Sequence, residues 1–188
     1  MDYTKRIKKL NQIFGKLLDE CPWVVYIGDP LLRQKTTEVS LEEGVNIGNR
    51  LKTILEKYRK VVGFGRGLAA PQIGEMKAVF VTYLDNAFKI YINPKITQSS
   101  ADFNIYRESC LSCGYLSVDV KRSNTIEIEY MNEQGITKNE HADSFSARLI
   151  QHELDHLEGI VNIDKAEKGS IDFMVNDPLK EQLRNAKY

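Results

Sequence analysis

Apolar residues recur along the chain at two periods, and those periods sort it into helices and strands. Leu10, Ile13, Phe14, Leu17 and Leu18 fall at the three-to-four-residue spacing of an amphipathic helix. Leu51, Ile54, Leu55 and Tyr58 repeat that spacing, and Ser40 with Glu43 has the form of a capping box, so a helix is expected to run to about Lys60. A third helix runs through about Leu157, with Asp143 or Ser144 available to cap it. A last one begins at Asp177-Pro178, because proline is tolerated in a first turn. Strands are expected over Trp23 to Ile27, where Gly28-Asp29-Pro30 then turns the chain, and over 78–84 and 88–93, with Asp85-Asn86 as a hairpin turn. Ile126, Ile128 and Tyr130 alternate along a strand from Thr125 to Tyr130, and Asn132 to Gly135 forms the next turn. Hairpin-linked strands with few helices point to an α+β fold rather than a parallel βαβ sheet.

A length of 188 residues fits one domain, 1–188, by the soft prior of ~100–200 residues per domain. Lys plus Arg equals Asp plus Glu at 26 each, so the basic excess of a dedicated nucleic-acid binder is missing. The longest apolar-rich stretch, Ala78 to Leu84, is too short to span a bilayer, and no membrane role is expected. The first twenty residues are basic early, but Asp2, Asp19 and Glu20 sit poorly with a transit peptide, and no cleavage site follows an apolar core. A helix packed on the domain surface is the simpler reading than a membrane or partner anchor. Three cysteines without a secretion signal place the chain in a reducing cytoplasm.

Three short segments carry candidate chemistry. In His152-Glu153-Leu154-Asp155-His156, two histidines four apart share one helix face, where their imidazoles can hold a single metal ion while Glu153 reaches a water. Phe145, Leu149 and Ile150 precede the pair and half-bury that helix. Short matches of this kind also arise by chance, and the histidines can be plain core or surface residues. His141 has no partner at ligand spacing and reads as a surface residue. No later histidine supplies a third ligand, Glu158 lies on the wrong face, and Glu167 has no supporting pattern, so a cysteine is the better candidate.

The second segment, Glu108-Ser109-Cys110-Leu111-Ser112-Cys113, leaves three readings open. One thiolate with the two histidines makes a catalytic set with an open position. Both cysteines with both histidines make a closed Cys2His2 site, although the 38 residues from 114 to 151 far exceed ordinary finger spacing. A redox dithiol is the third reading, without a thioredoxin-like pattern around it. The third segment, Gly65-Arg66-Gly67-Leu68-Ala69-Ala70-Pro71-Gln72, lets backbone approach a ligand closely, or simply turns into a strand. It lacks the Lys-Ser/Thr ending of a phosphate loop, and the Gln72 amide can donate to an oxyanion.

Taken in order, Gly65 to Gln72, Glu108 to Ser112 and Gln151 to His156 resemble the three motifs of the peptide deformylase family. The resemblance covers about 23–165, with 1–22 as a helical extension, and Gly28 to Arg33 looks like the family's opening. It implies antiparallel sheets packed around a helix bearing the HExxH pair. It also implies Cys110, His152 and His156 as metal ligands, Glu153 as general acid/base, and the Gln72 amide with the Leu111 N–H as the oxyanion hole. Gly67, Arg66, Phe145 and Leu149 are the candidate substrate contacts. The implied activity is removal of the formyl group from N-formylmethionyl peptides of nascent proteins, with release of formate. The implied cofactor is one divalent metal, Fe(II), with Zn(II) or Ni(II) as alternatives, and the ribosome is a possible partner. Three features depart from the pattern, one being that Cys113-Gly114 follow the Leu-Ser pair where the family often has Val-Pro one place earlier. Arg66 replaces an aliphatic residue near the methionine pocket, and Ser109 replaces a glycine. If that glycine has positive φ, Ser109 is strained and Cys110 displaced. A deformylase-like protein with weak activity or another formylated substrate is therefore the alternative, beside the non-catalytic closed zinc site.

Overall fold

A computed structural model describes residues 3–173, so the helix expected over 178–187 lies outside the described residues. Among the described residues, three α-helices, α1 (Tyr3–Glu20), α2 (Leu41–Val62) and α3 (Ser144–Leu157), accompany eight strands, an α+β architecture. Strands β1 (Gly67–Ala69), β2 (Val79–Leu84), β3 (Ala87–Ser99), β6 (Thr125–Met131) and β7 (Thr137–Asp143) form one sheet in the order β1-β2-β3-β6-β7. A smaller sheet has the order β4-β5-β8, from β4 (Phe103–Ser109), β5 (Leu116–Ser123) and β8 (Asp172–Phe173). All neighbouring strands are antiparallel.

The large sheet is covered on both faces. Val79, Val81, Ile90 and Ile92 pack with Leu51 and Leu55 of α2, and Leu17 of α1 joins the same cluster. Their strand neighbours Phe80 and Tyr91 point the other way and pack with Ile126, Ile128 and Ile150, the last from α3. Two buried faces explain why β2 reads as an unbroken apolar run rather than an alternating one. Each such aliphatic side chain contributes roughly 1.5–3 kcal/mol on burial. Helix α2 lies unusually close to the sheet: a Cβ on Gly44 would stand 2.7 Å from Ile92 Cγ2, and one on Gly48 2.4 Å from Ile90 Cδ1.

Local chemistry sets the element ends. Ser40 Oγ accepts the Glu43 N–H at 3.3 Å and starts α2, while the Glu43 carboxylate lies 3.5 Å from Lys77 Nζ. Asp143 occupies the N-cap of α3, and its N–H donates to Ser146 Oγ at 3.2 Å. Asp85 and Asn86 have φ of 50° and 61°, the paired positive values of a tight hairpin turn between β2 and β3.

The structure corrects two sequence expectations and adds strands that the sequence did not mark, β7 among them. Trp23 to Ile27 belongs to no strand, and Trp23 and Ile27 themselves lie in turns. Instead the Val25 N–H bonds the Gln72 carbonyl at 2.8 Å and the Ile27 N–H bonds the Ser112 carbonyl at 2.9 Å. Strand β3 continues past Pro94, at the cost of a register shift between Ile92 and Lys95. There Asn93 takes φ 49°, and its side-chain amide bonds both the N–H and the carbonyl of Val39, at 3.0 and 2.9 Å. Strand β7 gives no apolar signal because it is an edge strand that buries only Ala142.

Candidate active site

The three motif segments converge where the end of β4, the turn around Gln72 and helix α3 meet. In a strand, residues two apart share a face. Glu108 and Cys110 therefore point together toward α3 from the end of β4. On α3, His152 and His156 lie one turn apart, their ring centroids separated by 5.2 Å. Cys110 Sγ lies 3.2 Å from His156 Nε2. Ligand atoms of Cys110, His152 and His156 all fall within 4.8 Å of one another, and all three residues are buried. Among the described residues this is the sole such group of His, Cys, Asp or Glu.

The donor set fits one divalent metal ion. A thiolate and two imidazoles supply three ligands and leave a fourth position open. Glu108 Oε2 engages His152 Nδ1 at 2.9 Å, which fixes the ring and turns its other nitrogen toward the cluster. Buried Glu153 Oε2 has no hydrogen-bond partner, as expected of an atom whose partner is a water or substrate at that position. Burial pushes the Glu153 carboxyl up to about 7, with the charges on His152 and Arg122 pulling the other way. Burial likewise raises the Cys110 thiol, to about 11, so that an arriving cation displaces its proton.

Gln72 is held by both ends of its amide. Its Oε1 accepts the Ala69 N–H at 2.9 Å, and its Nε2 lies 3.4 Å from Cys110 Sγ and 3.2 Å from Ser112 Oγ. The amide thus presents its donor beside the cluster. Leu111 begins the short 3-10 turn Leu111–Cys113 that follows Cys110, and it lines the adjoining pocket. That pocket has an apolar wall of Leu55, Tyr58, Phe64, Phe145 and Leu149, with Cys110, His152 and Glu153 on its floor.

Two residues serve purposes the sequence did not reveal. Gly67 lines the pocket, but its more demanding neighbour is the catalytic candidate: an added Cβ would stand 2.1 Å from Glu153 Oε1. Glu108 is the centre of a buried ionic network. Its carboxylate accepts from Arg122 at 2.5 and 2.9 Å and from Arg148 at 2.5 Å, besides meeting His152. Arg122 also reaches Asp155 Oδ2 at 2.8 Å. Although burial opposes its charge, Arg122 holds the Glu108 carboxyl well below the usual carboxylate range. The two-residue spacing from Glu108 to Cys110 was the signal available for this.

The remaining candidates resolve by position. Cys113 Sγ donates to Asn162 Oδ1 at 3.2 Å and stays outside the three-ligand group, against the closed Cys2His2 arrangement. His141 is exposed on β7, its Nδ1 2.7 Å from Glu127 Oε1. The strain considered for Ser109 is not present. Ser109 pairs with Ser117 in the β4–β5 ladder, and its φ is not positive. Arg66 lines the pocket, its guanidinium 5.5 Å above the Phe145 ring.

Comparison with known proteins agrees with this geometry. Residues 21–171 match the family model described as polypeptide deformylase. A peptide deformylase of Pseudothermotoga lettingae is 39% identical over 138 residues, covering 73% of this chain and 78% of the relative. One from Prochlorococcus marinus is 39% identical over 145 residues, covering 74% and 70%. Among solved structures, a Synechococcus elongatus peptide deformylase in complex with actinonin has 35% identity and a TM-score of 0.67, covering 78% of this chain and 79% of that one. The Thermotoga maritima enzyme has 32% identity and a TM-score of 0.66, covering 77% and 96%.

Proposed function

Because the chain belongs to the polypeptide deformylase family, we propose that it hydrolyses the formyl group from N-formylmethionyl peptides, releasing formate, at the Cys110–His152–His156 centre. The observation that carries the reading is the gathering of those three ligand atoms within 4.8 Å, with the otherwise unpartnered Glu153 carboxylate buried beside them.

Cys110, His152 and His156 would hold the metal. When bound, a divalent metal supplies a Lewis acid that lowers the pKa of water toward ~7 and polarises a carbonyl. The protein's own groups do the rest. Glu153 accepts a proton from the attacking water and returns it to the departing amine nitrogen, a task suited to a carboxyl that burial moves to about 7. Gln72 Nε2 and the Leu111 N–H donate to the oxygen that gains charge as the formyl carbon becomes tetrahedral. Loss of one such donor typically costs ~10²–10³ in rate. The Leu55, Tyr58, Phe64, Phe145 and Leu149 wall receives the methionine side chain, and the backbone at Gly67 borders the peptide.

Fe(II) is the metal we favour, because the thiolate leaves the centre less positive than three imidazoles would. Zn(II) and Ni(II) suit the same ligands. Nascent chains presented by the ribosome in the cytoplasm are the proposed substrates, consistent with three free cysteines and with no helix among the described residues long and apolar enough to cross a membrane. Arg66 at the pocket supports a second reading, the same chemistry with an altered peptide preference.

Formate release from a formyl-Met tripeptide by anaerobically prepared Fe(II) protein tests the assignment. Glu153→Gln should retain metal and lose a factor of ~10² or more in kcat. Wild-type turnover in that variant would remove Glu153 from its role, and no formate from iron-loaded wild type would overturn the proposed reaction.

A further inference from the structure

Cys113 is absorbed by nothing in the proposed mechanism, yet it is buried against a ligand of the centre. Cys110, Cys113 and Val161 form one packed cluster, which groups the two thiols together. The turn between them is closed by the Cys113 N–H, which bonds the Cys110 carbonyl at 3.1 Å. Such an i to i+3 bond brings the Cα atoms within ~7 Å, inside or near the ~4.4–6.8 Å range that a disulfide spans. Cys110 lines the pocket, whereas Cys113 is not among its lining residues, so a small oxidant arriving through the pocket meets Cys110 first. Cys21 lies elsewhere, in the cluster formed with α2 and the large sheet.

We propose that Cys110 and Cys113 form a reversible disulfide under peroxide, with Cys113 as the resolving cysteine that protects the metal-ligating sulfur from irreversible oxidation. The Cys110 sulfur attacks one oxygen of hydrogen peroxide. The O–O bond breaks, an S–O bond forms, and the released hydroxide departs as water with a proton from solvent, or with the thiol's own in the metal-free protein, leaving a sulfenic acid. The Cys113 sulfur then attacks that sulfenic sulfur. An S–S bond forms, the S–O bond breaks, and the hydroxide departs as a second water with the Cys113 proton. The pair has lost two electrons and peroxide has gained them, and a dithiol reductant reverses the change by exchange. Without Cys113, the sulfenic acid proceeds to sulfinic and sulfonic acids that thiols do not reverse. Disulfide formation removes the thiolate from the ligand set, so the metal is released. That consequence rests on Cys110 being a ligand, as proposed above, whereas the disulfide itself does not.

The test uses zinc-loaded full-length protein, because zinc does not itself react with peroxide, with zinc release followed by a chromogenic chelator. Tryptic cleavage after Arg107 and Lys121 places both cysteines on one peptide, 108–121. Peroxide at about three molar equivalents, enough to carry an unprotected thiol to the sulfonic acid, should make that peptide about 2 Da lighter than its reduced form, in step with zinc release. Dithiothreitol should restore both the reduced mass and zinc uptake. In Cys113→Ser the same dose should instead add one to three oxygens to Cys110, and dithiothreitol should fail to restore zinc uptake. Cys113→Ala, which leaves no hydroxyl in the cluster, should behave the same way. Oxygen adducts on wild-type Cys110 without the lighter peptide would overturn the proposal, as would dithiothreitol recovery in the variants equal to that of wild type. A lighter peptide without zinc release would retain the disulfide and instead refute the ligand role of Cys110.

Discussion

Gly67→Ala is the most economical test of how the centre is built, because it adds one methyl group and changes no charge. The new Cβ would lie 2.1 Å from Glu153 Oε1, 2.6 Å from its Cδ and 3.0 Å from its Cγ. Ordinary non-bonded contact is about 3.5 Å, so the carboxylate has to retreat by roughly 1.4 Å. Backbone strain does not enter, since the φ of Gly67 is not positive and its register opposite Thr82 suits any residue. A displacement of about 1 Å can cost ~10² in rate at a reacting centre. We therefore expect kcat to fall by ~10² or somewhat more, about 2.7 kcal/mol of barrier. Overpacking adds ~1–3 kcal/mol of destabilisation, which thermal melts should show as a modest fall in Tm. Formate release under saturating substrate, with metal content measured on the same sample, separates a displaced base from a lost metal. The Gly67→Ala, Glu153→Gln double variant supplies the decisive arm: if the methyl acts through Glu153, the double should be no slower than Glu153→Gln alone. A metal-replete Gly67→Ala protein within ~3-fold of wild-type kcat would refute the reasoning.

The other expectations are direct. Cys110→Ser, His152→Ala and His156→Ala should each purify without metal, whereas Cys113→Ser should keep it; elemental analysis decides, and metal loss in Cys113→Ser would favour the closed site. Glu108→Gln leaves Arg122 and Arg148 buried with a weakened partner, so it should cost ~3–5 kcal/mol in denaturant unfolding. The same variant should weaken zinc binding by ~10–100-fold, because His152 loses the carboxylate that orients it. Ser109→Gly should leave kcat unchanged and slightly lower stability, by ~0.5–1 kcal/mol; a clear rise in kcat would mean that Ser109 is strained after all.

Periodicity revealed the elements that bury one stripe against the sheet. Helices α2 and α3 lie where their apolar repeats and capping residues put them, and Asp85-Asn86 turns as its residue types require. What stayed hidden depends on partners distant in sequence. Strand β7 is held by pairing with β6 rather than by any apolar face of its own. The β4–β5 pair, whose connection carries Cys110, exposes Phe103 and Ile105 at the start of β4, so apolarity there does not mark an interior. Trp23 to Ile27 has the composition of a strand but finds its hydrogen bonds on two turns instead of a ladder. In the site, the histidine pair was legible from its spacing, whereas Cys110 rather than Cys113 as its companion came only from the family resemblance. The Glu108 network was not legible, because Arg122 and Arg148 come from β5 and α3 and only the fold shows that they share one carboxylate. Gly67 reads as a substrate-facing glycine, and only the coordinates reveal that Glu153 needs the space.

The notch of Gly44 and Gly48 on α2 governs more than the local packing. Further along the same helix, Leu55 and Tyr58 form part of the pocket wall. Helix α2 thus rests at one end on Ile90 and Ile92 through bare backbone, and at the other it forms one side of the pocket. A methyl group in the notch would lift the near end and carry the far end with it. The shape of the pocket therefore depends in part on residues 44 and 48, which contribute nothing to its lining.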